Sequence, residues 1–172
     1  MATLSLPERH QVTPYLFGVA MLPLCALFAF GEYTYDPNPL IVLVHAFDLI
    51  VHEAGHFIFR FFGQTMMVAG GSLLQILLPA LFVYQGLYWS NRIGTQLALL
   101  LLGQNFVDVS IYAADAQARA LPLLGGDRVF HDWHRLLSQF GLLEATPVIA
   151  GTLFALAFVT WGVMLLVPRW IL

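Results

Sequence analysis

Residues His52, Glu53, Ala54, Gly55 and His56 spell H-E-x-x-H. Two His four residues apart lie on one helical face within reach of a single ion, and the Glu beside them can act as general base on a metal-bound water. The surrounding run, from about Leu40 to Phe62, is apolar except that it also holds His45, Asp48 and Arg60. At about 100° per residue, His45, Asp48, His52 and His56 fall within a sector of roughly 80°, with Glu53 and Arg60 at its edge. Asp48, one turn before His52, is placed to accept the second ring N–H of His52 and so fix its tautomer. His45 reads as an outer partner of the site or as a core group.

Two further elements carry matching chemistry. Gln104, Asn105, Asp108, Tyr112, Asp115 and Arg119 fall within about 100° of one another on a helical wheel. The same stripe would also suit residues that pair among themselves or with Arg60 and simply join helices. Asp127 to Arg135 then reads D-R-V-F-H-D-W-H-R, in which His131 and His134 share a face if the segment is helical; an interfacial helix with Trp133 at the headgroups is the plainer account. Imidazole and carboxylate donors without thiolate suit zinc first, with iron or manganese as other occupants. A catalytic zinc keeps three protein ligands and an open position. His52 and His56 supply two of them, and the third is to be sought among Asp108, Asp115, His131 and His134. One zinc is the simpler expectation, although a site with two metals could use all six residues.

The elements that must position these groups belong in a bilayer. Of 172 residues 59% are hydrophobic and 10% charged, with a mean hydropathy of +0.78, whereas a soluble domain carries roughly a quarter charged residues. All seven basic residues are Arg and the net charge is −3, which excludes a basic nucleic-acid surface. The lone Cys25, inside an apolar run, excludes a disulfide framework and a thiolate cage. An all-α, polytopic membrane protein follows, one membrane-embedded domain over residues 1–172. Its expected spans are about 14–31, 40–62, 72–89, 93–118 and 146–167. Gly63 to Gly71 is expected to form a short loop or re-entrant piece, and residues 119–143 a loop with a short interfacial helix from Arg128 to Leu143. A cleavable signal peptide is not the reading, because no small-x-small pattern follows Phe30 before the acidic turn.

With a cytoplasmic N-terminus, Arg9, Arg60, Arg119, Arg128 and Arg135 lie inside and Arg92 and Arg169 outside, five against two in the sense of the positive-inside rule. In that arrangement His52, His56, Asp108, Asp115, His131 and His134 all approach the cytoplasmic side. Since each ionisable group kept in a membrane helix costs some kcal/mol, a span that retains so many needs a reason.

At His52 to His56 the chain resembles the site-2-protease-like family of membrane zinc metallopeptidases. That resemblance implies His52 and His56 as zinc ligands, Glu53 as general base, and Asp108 or Asp115 as a carboxylate ligand from a later helix. The family's later Asn-Pro-x-x-x-x-x-Asp-Gly motif is not found, Asn105-Phe106-Val107-Asp108 standing in its region, so the third ligand stays open. The extra His131 and His134 pair resembles instead the several-His zinc sites of ceramidase-type membrane amidases, whose motif order differs. The expected function is a membrane-embedded zinc hydrolase, peptidase-like, acting on a membrane peptide. The alternatives are a hydrolase of a lipid amide or ester, and a small accessory or structural subunit of a larger membrane complex with a structural or degenerate metal site. Membrane lipids are its surroundings in each case.

Overall fold

The structure, a computed structural model, describes residues 9–124 and 130–171. Asp127 and Arg128, named above, lie outside the described residues, as does the Arg9 side chain. Among the described residues seven α-helices follow in order: α1 Arg9–Ala20, α2 Leu22–Phe30, α3 Pro39–Phe59, α4 Gln64–Tyr88, α5 Arg92–Ala114, α6 Asp132–Gln139 and α7 Thr146–Leu166. No strand occurs among the described residues. Counting the short 3-10 turns at their ends, four helical segments of 23 to 27 residues among the described residues are long and apolar enough to cross a membrane. At 1.5 Å per residue each spans about 35–40 Å, enough for a hydrocarbon core of about 30 Å. Their outer faces carry exposed Leu43, Ile50, Leu81, Val148 and Val159, an arrangement that lipid accepts and water does not. The chain therefore fits an integral membrane protein.

The expected first span is shorter than the four long helices. Its apolar part covers Pro14–Phe30 and is divided at Met21, where α1 ends and α2 restarts. Pro23 lies in the first turn of α2 and has no N–H to continue the ladder of α1. Cys25 is buried in α2, as a small apolar residue would be.

α5 is the central helix. In its most apolar stretch 61% of residues are buried, against 22–33% in the other three spans. α7 packs along one side of it, where Gly103 leaves room for the Trp161 ring and the Trp161 Nε1–H donates to the Leu100 carbonyl at 3.1 Å. Gln96 of α5 likewise donates to the Met164 carbonyl of α7 at 3.2 Å. α4 also packs along α5, and α3 reaches α5 through Asp48 with Gln104 and His45 with Asp108.

α4 departs from expectation at its start. The stretch Gly63 to Gly71 is not a loop or re-entrant piece; the helix begins at Gln64 and runs through both Gly70 and Gly71. Those glycines are there for close approach. A Cβ on Gly70 would lie 2.7 Å from the Gly55 carbonyl oxygen of α3. A Cβ on Gly55 would in turn strike the Gly70 carbonyl. Small residues that let two backbones touch are the usual means by which membrane helices associate. Gly63 precedes this helix with φ 97°, a conformation that favours glycine, and turns the chain from α3 into α4.

Replacing Gly55 by Val therefore separates α3 from α4. The expected loss is at least about 1–3 kcal/mol of stability, measured as a lowered thermal unfolding midpoint in detergent, while Gly151→Val, where nothing surrounds the added atoms, leaves the midpoint unchanged.

Candidate metal centre

His52 and His56 lie in the second half of α3, against α4 and the close glycine contact. Gly71 of α4 makes the room for the His52 ring, since a Cβ there would overlap its Nε2, Cδ2 and Cε1 atoms. The two imidazoles meet nearly edge to face, with centroids 4.8 Å apart. Each turns its Nε2 toward one carboxylate oxygen: Asp132 Oδ2 lies 3.0 Å from His52 Nε2 and 3.2 Å from His56 Nε2. Asp132 opens α6, a helix outside the spanning segments.

Both rings are held from behind. The His52 Nδ1–H donates to Gln75 Oε1 at 3.2 Å, and the His56 Nδ1–H donates to the Met67 carbonyl at 2.8 Å, both acceptors on α4. A neutral imidazole that donates from Nδ1 presents an unprotonated Nε2, the form in which it binds a metal. Around Asp132, the Tyr112 hydroxyl donates to Oδ2 at 3.4 Å and accepts the Asp132 backbone N–H at 3.0 Å. Burial alone would push the Asp132 carboxyl up, but while the His52 and His56 rings carry protons on Nε2 as well as Nδ1 they donate to it, outweigh this and hold it down to about 2; a metal would take the place of those Nε2 protons.

The donor set suits zinc. Two imidazole nitrogens and one carboxylate oxygen lie within 4.8 Å of one another. Ligand atoms at bonds of about 2.1 Å and the tetrahedral angle stand about 3.4 Å apart, close to the two nitrogen–oxygen separations found. Glu53 is exposed on α3 and borders the same cavity of about 980 Å³ as His52, His56 and Asp132.

The structure places the other expected donors elsewhere. Asp108 accepts from Gln75 Nε2 and from the His45 Nδ1–H, both at 2.6 Å. Asp115 closes the turn after α5, accepting the backbone N–H groups of Ala120 and Leu121 at 2.9 and 3.0 Å. His131 caps α6: its Nδ1 accepts the His134 backbone N–H at 3.3 Å, and its Nε2–H donates to Asp115 Oδ2 at 3.2 Å. Burial lowers the pKa of His131 below the usual imidazole range, in keeping with this neutral form. The His134 Nδ1–H donates to the Ala116 carbonyl at 2.8 Å. Asp48 is not the partner of His52 either; it turns to α5 and accepts from Gln104 at 2.7 Å. Arg60 leaves the stripe, its guanidinium 4.1 Å from the centroid of the Phe57 ring.

Asp132, Gln75 and Gly71 were not singled out by the sequence. Asp132 belongs to the D-R-V-F-H-D-W-H-R run, in which the His spacing is the more obvious metal-binding signal. Ser72 and Gln75, one turn apart in a helix of 25 residues with high hydropathy, were the available signal on α4. Trp133 donates to Ser72 Oγ at 3.1 Å and so docks α6 onto that face, while the expected convergence of α3, α5 and α6 holds through Tyr112 and Asp132. No family profile, curated protein or solved structure matches the chain.

Removing the His131 cap should loosen α6 without touching the His52 and His56 pair. His131→Ala is expected to cost about 1 kcal/mol, seen as faster hydrogen exchange confined to the α6 amides; unchanged exchange there would remove the capping role.

Proposed function

We propose that this chain is a membrane-embedded zinc hydrolase, peptidase-like in its chemistry, with His52, His56 and Asp132 as the metal ligands and Glu53 as general base. The observation that carries this reading is the meeting of two Nε2 atoms and one carboxylate oxygen from separate elements, with the Nδ1 of each imidazole committed to an acceptor. The likeness to the site-2-protease-like family at H-E-x-x-H is kept, with the later-helix carboxylate replaced by one from α6.

Zinc held there supplies Lewis acidity, polarising a carbonyl and acidifying water. The chain's own groups do the rest. Glu53, open to the cavity, takes the proton of the attacking water on its carboxylate and returns it to the leaving amine. Tyr112, whose hydroxyl touches Asp132, fixes the approach of that ligand. Leu49, Val68 and Ile111 line the cavity beside these groups, excluding water and accepting an apolar substrate segment. By the Arg distribution, the N-terminus and this end of the bundle face the cytoplasm.

Purified protein should contain about one zinc per chain by elemental analysis, with iron or manganese in its place meaning a different metal for the same ligands. His52→Ala, His56→Ala and Asp132→Ala should each lose the metal, and His134→Gln should retain it. Glu53→Gln should also retain it while hydrolysis of membrane peptides falls about 10²–10⁴-fold. Cleavage of lipid amides or esters alone would replace the peptidase reading with a lipid hydrolase. Metal content untouched by all three ligand substitutions would overturn the site, and fixed-stoichiometry co-purification with unaltered complex function in Glu53→Gln would favour an accessory subunit.

A further inference from the structure

We infer that Asp108, acting through Gln75, decides which nitrogen of His52 is free to bind a metal. The inference rests on His52 being a ligand and adds two positioning residues that never touch the ion. Asp108 Oδ2 lies 2.6 Å from Gln75 Nε2, Gln75 Oε1 lies 3.2 Å from His52 Nδ1, and Asp108 Oδ1 lies 2.6 Å from His45 Nδ1. His52, Gln75 and Asp108 are 6%, 3% and 7% exposed, so water offers them little alternative.

The polarity of this row follows from what each group can donate. Both Asp108 oxygens accept, Oδ1 from His45 and Oδ2 from Gln75, so Gln75 presents its NH₂ to Asp108 and points its carbonyl oxygen the other way. An oxygen facing His52 Nδ1 requires the proton to be on that nitrogen. The lone pair is then left on Nε2, the atom 3.0 Å from Asp132. A flipped Gln75 amide would set N–H against Nδ1, move the ring proton to Nε2, and cap the atom that must meet the metal. Nothing in Gln75 itself chooses between these orientations; Asp108 does, two side chains away from the ion. Partners behind a ligand are commonly worth 10–100-fold in metal affinity.

The test reads the tautomer of ¹⁵N-labelled His52 by long-range proton–nitrogen correlation in the full chain carrying Asp132→Ala, where no carboxylate competes at Nε2. The proton is expected on Nδ1. It should move to Nε2, the ordinary preference of a free imidazole, when Gln75→Leu is added, and also with Asp108→Leu, which does not touch His52. A second pair of measurements keeps Asp132 and reads zinc affinity. Gln75→Leu should weaken binding about 10–100-fold. Exchanging the two groups, Gln75→Glu with Asp108→Asn, keeps an acceptor facing His52 and lets the new amide donate to the new carboxylate while accepting from His45. That double variant should bind zinc within about threefold of the unaltered protein, well inside the usual loss for a missing outer partner. A proton that stays on Nδ1 in Gln75→Leu, or an exchanged pair as weak as Gln75→Leu alone, overturns the inference. If Asp108→Leu does not fold, Gln75→Leu and the exchange decide. The tautomer is read without metal, so a protein that binds no zinc at all overturns the proposed function and leaves this measurement standing on its own.

Discussion

Inside hydrocarbon a polar atom has no water to turn to, and every hydrogen-bonding group in the bundle must find its partner within the protein. That constraint orders the core of this chain. Asp48 is answered by Gln104, Asp108 by Gln75 and His45, and His52 by Gln75 and Asp132. Because each partner lies on a different helix, the polar contacts that satisfy one helix also fix its rotation against the next. Among the described residues the unanswered buried side-chain atom is Gln96 Oε1, on the stretch of α5 that faces α7 and away from the His cluster.

The polar contacts can form only because the backbones come close enough. Gly55 and Gly70 bring α3 and α4 into contact, and Gly71 leaves the space that the His52 ring fills. The same short distance lets the Met67 carbonyl reach His56 and the Gln75 amide reach His52. Helix packing and the geometry of the His cluster are thus one arrangement. A methyl group added at Gly71 would act on the His cluster as directly as a change at His52 itself, although the residue carries no chemistry of its own.

Much of this was legible in the sequence because composition and length speak directly to a bilayer. The spans from Leu40, Ile93 and Thr146 follow from apolar runs bounded by turns, and the H-E-x-x-H spacing brings its two rings together on any helix. What misled was context. Gly70 and Gly71 look like loop formers, but in a membrane helix glycine serves contact rather than turning. Asp48 shares a stripe with His52, yet 100° per residue says only which sector a side chain occupies and not which neighbour claims it; Gln104 lay closer. Asp132 was hidden by a single residue of register. With α6 starting at Asp132, the preceding His131 becomes the cap and gives its lone pair to the backbone, and the carboxylate is the group left pointing at the rings. Cap geometry of that kind depends on where the loop after α5 returns, which no local pattern encodes.

The position of Asp132 in the chain also orders assembly. A polypeptide is made from its N-terminus, so α3, α4 and α5 are synthesised and can enter the bilayer while residue 132 is still to come. During that interval the two imidazoles have their supports on α4 but not their carboxylate. The cluster closes only after the chain has emerged again from α5 and α6 has folded back, with Trp133 against Ser72 and Gln139 against Thr65. The three donors therefore meet only once the helices that hold the two rings are in place.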